Sequence, residues 1–132
     1  MSTDLLKGRV ALITGASRGI GAAAAKALAA AGAHVILLAR NAVGLEAVDD
    51  AITAAGGSAT LVPVDLMEAD KIDQIAVAIG QRFGRMDILV GAAGMLGALY
   101  PVTHLPTKTW DQMFATNVTA NWRLLRAFDG AL

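Results

Sequence analysis

The chain has 132 residues, with 11 Lys+Arg against 11 Asp+Glu, so its formal charge is zero; 55% of residues are hydrophobic and 17% charged. That balance excludes a disordered chain and leaves no basic field to draw nucleic acid or an anionic membrane. The absence of cysteine excludes disulfides, thiolate metal sites and cysteine nucleophiles. The length suits one domain spanning residues 1–132. Met1-Ser2-Thr3-Asp4 lacks a basic region followed by an apolar run, so no signal peptide is expected. The uncharged run Ile88 to Thr107 is interrupted by Gly91, Gly94, Gly97, Pro101 and Pro106, which makes a poor membrane helix. A soluble, cytoplasmic protein with no nucleic-acid or membrane partner is the expectation.

Alanine occurs 28 times and glycine 14, and small residues of this kind suit helices layered closely on a buried sheet. Arg9 to Thr14 (RVALIT) is too short for a helix and is stopped by Gly15, which fits a strand buried on both faces. Gly19 to Ala31 carries Ile20, Ala24, Ala27, Leu28 and Ala31 at helical spacing, with Gly32 as a natural stop. His34 to Ala39 is a second buried strand. Asn41 can cap a helix with Leu45, Val48, Ile52 and Ala55 on one face, ended by Gly56-Gly57. Ala59 to Val64 is a third strand, and Pro63 favours an edge position for it.

Asp65 to Glu68 has the spacing of a capping box, ahead of a helix with Ile72, Ile75, Ala76, Ile79 and Phe83 on one face. Asp87 to Val90 opens a fourth strand, followed by a Gly/Pro loop to Pro106. Thr107 or Thr109 would then cap one last helix, with a stripe of Trp110, Met113, Phe114, Asn117, Asn121, Leu124, Leu125 and Phe128. The alternation βαβαβαβα predicts an α/β fold, a doubly wound parallel sheet joined by right-handed crossovers. In the order 3-2-1-4, strand four is an outer edge, although Ile88-Leu89-Val90 reads as interior.

The first strand runs through Thr14-Gly15-Ala16-Ser17-Arg18-Gly19-Ile20-Gly21 into its helix. A helix N-terminus offers free N–H groups and a positive dipole end to a phosphate, and glycine lets a pyrophosphate approach the backbone. The spacing is neither G-x-G-x-x-G nor that of a P-loop, and no lysine follows Gly21. In such a fold the end of the second strand faces the adenine ribose, where an acidic residue would bind the 2′-OH. Here that place holds Arg40 and then Asn41, with Arg18 on the same side. Two guanidinium groups favour a 2′-phosphate, hence NADP(H) over NAD(H).

Thr14 to Gly21 resembles the T-G-x-x-x-G-x-G cofactor loop of the short-chain dehydrogenase/reductase family, whose fold is Rossmann-type. Asp65-Leu66 resembles the family's adenine-side contact, and Gly91-Ala92-Ala93-Gly94 its Asn-Asn-Ala-Gly turn, with both asparagines replaced. The resemblance implies cofactor contacts at Gly15, Ser17, Arg18, Gly19, Ile20, Gly21, Arg40, Asn41, Asp65, Leu66, Ala92, Ala93 and Gly94. Asp65 is open to capping its helix as well as to touching adenine. Asn117 resembles the family's catalytic-helix asparagine, which distorts the helix and holds a water in a proton relay; a hydrogen-bonded core asparagine is the plain alternative. Asn121, one turn on, is assigned nothing.

The nearest branch is the 3-oxoacyl-carrier-protein-reductase-like one, which implies hydride transfer to or from a small-molecule ketone or secondary alcohol. The family's proton donor is a tyrosine with a lysine four residues on and a serine upstream, all after the asparagine. Residues 118–132 contain no Ser, Tyr or Lys. Tyr100 with His104 is a loop coincidence, and no metal cluster is expected. Family members run to about twice this length, so the chain is expected to be a truncated, cofactor-binding half, inactive alone and continued past Leu132 by the missing residues. A non-catalytic dinucleotide-binding module or assembly partner is the alternative. The resemblance also implies a homo-oligomer through the last helix, with Trp122 and Phe128 either in that interface or packed on the sheet.

Overall fold

A computed structural model describes residues 4–132; the signal-peptide expectation rests mainly on residues outside that range. Four parallel strands form one sheet in the order β3-β2-β1-β4, where β1 is Val10–Thr14, β2 His34–Ala39, β3 Ser58–Pro63 and β4 Ile88–Gly91. Helices α1 (Gly19–Ala30), α2 (Ala42–Ala54) and α3 (Ala69–Phe83) connect them in turn. This is the doubly wound, Rossmann-like arrangement expected from the alternation of elements. Pro63 falls at the end of the edge strand β3, where its missing donor costs no ladder bond to an outer neighbour.

Side chains alternate across the sheet, so β1 and β2 feed two cores. Ala11, Ile13, Val35 and Leu37 pack under α1 and α2, against Ala22, Ala25, Ala29, Leu45, Val48 and Ile52. Val10, Leu12, Ile36 and Leu38 pack on the other face against Ile72 and Ile79 of α3 and against Leu124 and Phe128. Alanines on α1 let that helix lie close to the sheet, as the composition predicted. β4 pairs only with β1, in the register Ala11↔Ile88 to Thr14↔Gly91. Its Ile88, Leu89 and Val90 are half-buried, whereas the apolar side chains of β1 are buried throughout.

Two helix starts differ from expectation. The Asp65–Glu68 stretch is not a capping box. The Asp65 carboxylate accepts from the Met67 amide (3.0 Å), the Asp65 carbonyl accepts from the Glu68 amide (3.0 Å), and α3 begins only at Ala69. The short aspartate arm reaches the amide two residues on and closes a turn there, which the same spacing permits. The last helical region starts at Thr107 behind Pro106, with no side-chain cap from either threonine; proline's fixed φ sets the entry instead.

That region is also not one regular helix. α4 (Thr107–Phe114) passes into a wide π-type turn, Ala115–Thr119, before α5 (Ala120–Phe128). The Ala120 amide reaches back five residues to the Ala115 carbonyl. The predicted stripe therefore splits. Leu124 and Phe128 are buried with Ala120, while Trp110, Phe114 and Leu125 are exposed. Phe128 packs within the chain, and Trp122 stands outside with the Arg126 guanidinium 4.4 Å from its ring centre. No helix of the described residues is long and apolar enough to cross a membrane.

Candidate cofactor site

The order 3-2-1-4 reverses direction at β1, so the helices after β1 and β4 leave the sheet on opposite faces and open a crevice at the strand C-termini. A cleft of about 620 Å³ lies there, within the range of small-molecule and cofactor sites. Its floor is the turn from β1 into α1. Gly15 (φ +62°) and Gly19 (φ +58°) adopt left-handed backbone that other residues rarely reach. A Cβ on Gly15 would lie 2.7–2.8 Å from the backbone of Ala92 and Ala93, and one on Gly21 would overlap the Gly15 carbonyl. The turn is thus pressed against both its own helix and the turn after β4.

Thr14, fully buried, stitches these two turns together. Its hydroxyl donates to the Val90 carbonyl (3.4 Å) and accepts from the Ala93 amide (3.2 Å). The Ala16 amide bonds to the Leu38 carbonyl of β2 (3.3 Å), which fixes the other side. No side chain caps the start of α1, whereas Asn41 caps α2 by accepting from the Gly44 amide (3.1 Å). The uncapped amides of α1 stand at the cleft, where an anionic group would satisfy them.

Every cofactor-side residue singled out in the sequence lines this one cleft. Gly15, Ser17, Arg18, Gly19, Ile20 and Gly21 form its floor, Arg40 and Asn41 one wall, Asp65 and Leu66 the next, and Ala92, Ala93 and Gly94 the far side. Arg18, Arg40 and Asp65 are its charged lining residues. Among the described residues neither guanidinium is paired with a carboxylate, although ion pairs occur elsewhere in the molecule.

Asn117 is not in the lining but grips it. Its Oδ1 accepts from the Met95 amide and its Nδ2 donates to the Met95 carbonyl, both at 2.8 Å. A side-chain amide that mimics a strand neighbour in this way holds the end of the 91–95 turn to the helix. Asn117 sits in the middle of the π-type turn Ala115–Thr119. Tyr100 and His104 belong to the loop away from the cleft lining. Among the described residues there is no cluster of His, Cys, Asp or Glu fit for a metal.

Several lining residues escaped the sequence reading. Gln112 and Thr116, four apart on one helix face, both reach the cleft, as do Met67 and Met95. Polar residues at i and i+4 just ahead of Asn117 were the available signal. Asn121 donates from Nδ2 to the Asn117 carbonyl (2.9 Å), a link that the same i, i+4 spacing could have raised.

A family model described as short chain dehydrogenase matches residues 9–130. The chain belongs to the short-chain dehydrogenase family. It is 50% identical over 116 residues to an uncharacterised oxidoreductase of Methylorubrum extorquens, covering 86% of this chain and 46% of the relative. It is 35% identical over 129 residues to the 2,3-dihydro-2,3-dihydroxybenzoate dehydrogenase of Bacillus subtilis, covering 96% of this chain and 48% of that enzyme. A metagenomic short-chain oxidoreductase solved in complex with NADP superposes with a TM-score of 0.93 at 44% identity, over 96% of this chain and 57% of that one. The chain thus spans about half the length of the curated short-chain dehydrogenases it matches.

Proposed function

We propose that this short-chain dehydrogenase chain is the NADP(H)-holding part of an oxidoreductase that moves a hydride to or from a small-molecule ketone or secondary alcohol. The pair Arg18 and Arg40 carries the choice of nucleotide. Both are unpaired cations on one cleft, and no carboxylate stands at the end of β2 to hold a ribose 2′-OH and repel a 2′-phosphate. The structural relative solved with NADP supports the same reading. The glycine turn and the open amides of α1 would take the diphosphate, Asp65 and Leu66 the adenine end, and the 92–94 turn the nicotinamide ribose. When bound, the nicotinamide supplies or accepts the hydride. Asn117 keeps the neighbouring turn in place for that exchange.

The proton that accompanies a hydride needs a donor beside the carbonyl oxygen. Residues 118–132 offer no Ser, Tyr or Lys, so the 132-residue chain is expected to bind cofactor without turning it over. Fluorescence titration tests the assignment. The chain should bind NADPH more tightly than NADH, and Arg40→Ala should weaken NADPH by about 1.5–3 kcal/mol while leaving NADH nearly unchanged. Equal losses for both nucleotides would overturn the choice, and NADPH consumption with ketones by this chain would overturn the division of labour.

The last helical region also fits self-association. Trp110, Phe114, Val118, Trp122 and Leu125 are each about half-exposed and follow one another at spacings of four, four, four and three. A second copy of the chain is the partner proposed for this stripe. Light scattering should give a dimer or larger species that Trp122→Glu shifts to monomer; a monomeric wild-type chain would remove the proposal.

A further inference from the structure

The end of β4 and the first turn of α5 meet at Gly91 and Asn121, a pair that neither the glycine motif nor Asn117 accounts for. An ideal Cβ built on Gly91 would stand 2.8 Å from Oδ1 of Asn121 and 3.6 Å from its Cγ. Real Cβ atoms do not approach so closely, so the Asn121 amide fills the space that any side chain at position 91 would need. The other end of the same amide is engaged, because Nδ2 donates to the Asn117 carbonyl (2.9 Å). A π-type turn inserts a residue into the helical ladder and disturbs its regular pairing. A side chain reaching back four residues supplies a donor there. Asn117 in turn holds both polar backbone groups of Met95, which lines the cleft.

We infer that Asn121 is a positioning residue for the cleft: wedged against Gly91, its amide braces the Asn117 carbonyl and so holds the 91–95 turn through the Asn117–Met95 clamp. The bareness of position 91 is the other half of the device. Asn121 Oδ1 is the end of a flexible arm, so a Cβ at 91 displaces the amide rather than the sheet, and the brace is lost without a backbone clash. Asn121 acts through Asn117 and touches no reacting atom. The consequence for hydride transfer rests on the cofactor reading above, but the coupling itself is read without ligand.

Amide hydrogen exchange in the 132-residue chain tests it, with the Met95 amide as the reporter and the Leu12 amide of β1 as the reference for global opening. Asn121→Leu should speed exchange at Met95 by about tenfold with Leu12 unchanged. Gly91→Ala should do the same from the opposite side with Asn121 still present. It also reads the coupling where Asn121→Leu lowers protection at Leu12 as well. The double variant should be no worse than either single one, because both remove the same brace. Unchanged exchange at Met95 in Gly91→Ala, or effects of the two substitutions that simply add, would overturn the inference. Neither outcome bears on NADPH affinity, so failure here is distinct from failure of the cofactor assignment.

Discussion

The two ends of the parallel sheet are built on opposite terms. At the C-terminal ends of the strands, arginines are left unpaired, helix amides uncapped and glycines pressed backbone to backbone. At the N-terminal ends of β1 and β4 the charges Arg9, Arg85 and Asp87 are paired with one another. The Asp87 carboxylate, only 13% exposed, accepts from Arg85 Nε (2.8 Å) and Nη2 (2.6 Å), from Arg9 Nη1 (3.3 Å) and from the Val10 amide (2.8 Å). It thereby ties the start of β4 to the start of β1. One end is tied together by the chain's own ion pairs, and the other is left open to solvent and to the dinucleotide proposed for it. Both arginines are exposed, so water serves them when the cleft is empty; the cleft is set apart by two cations and a row of uncapped helix amides on one crevice, a field that suits an anion.

The sharpest way to break this comparison is to add one methyl group at each end. Gly15→Ala puts an L-residue at φ +62° and drives its Cβ into the Ala92–Ala93 backbone. The left-handed strain alone is about 1–2 kcal/mol, and the collision must move the two turns apart. NADPH affinity should fall at least about a hundredfold, or about 2.7 kcal/mol, in a fluorescence titration. Gly8, just before β1 at the other end, has φ +80° but nothing within 4 Å of its Cβ position. Gly8→Ala should cost comparable backbone strain and lower the melting temperature, yet leave the NADPH dissociation constant within about twofold. Equal losses of affinity would mean that the glycine turn acts through general stability and not as a cradle.

Much of this was legible in the sequence because it rests on short-range patterns with a single structural meaning. Four apolar runs separated by helical patterns leave few topologies, and the glycine turn stands directly after the first of them. The residues from Gly15 to Gly94 assigned to the cofactor converge because strand C-termini share one edge. The last helical region is less legible. Spacing from Trp110 to Phe128 looks like one continuous stripe, but an inserted residue rotates the upstream face by about 100°, which turns Trp110 and Phe114 outward. Periodicity carries no mark of such an insertion. The Asp65–Glu68 spacing was similarly ambiguous, since an aspartate can close a turn or cap a helix with the same neighbours. The Asp87 tie is only partly local: Arg85 lies two residues away, but Arg9 and Val10, which join it to β1, lie 78 and 77 residues away in the chain.

Asp87 gives the next test, of the end tied by ion pairs. The hydrogen bonds from Arg85, then that from Val10, hold its carboxyl well below the usual carboxylate range. A depressed folded-state pKa stabilises the fold fully above the ordinary value, 3.8. That contribution is lost as pH falls from there through the folded value, where the unfolded chain takes the proton first. Asp87→Asn should therefore lower the urea midpoint at pH 7, with the gap to wild type narrowing below about pH 4. NADPH affinity at pH 7 should not change. A pH-independent gap would show that packing around Asp87, not its charge, does the holding.

The smallest expected effect lies at the same end, on β2. His34 stands between Ser58 and Thr60 of β3, with Nδ1 and Nε2 each 2.8 Å from a hydroxyl, and its ring centre is 5.0 Å from that of Phe83. Burial, reinforced by the nearby Arg82 cation, pushes its pKa below 6.5. Each hydroxyl can both donate and accept, so the neutral ring finds one donor and one acceptor without strain. Protonation would demand two acceptors in a half-buried site beside a guanidinium. The unfolded chain therefore binds a proton first as pH falls through 6.5, and the contribution of His34 to stability declines from that pH down to its folded value. His34→Gln keeps an amide donor and acceptor but cannot titrate. In this variant the slope of stability against pH between about 6.5 and 5 should be shallower than in wild type. A proton NMR titration of the wild-type ring provides the direct check, and a midpoint at or above 6.5 would mean that the β2–β3 edge tolerates the charged ring and that the N-terminal end of the sheet is less tightly finished than its ion pairs imply.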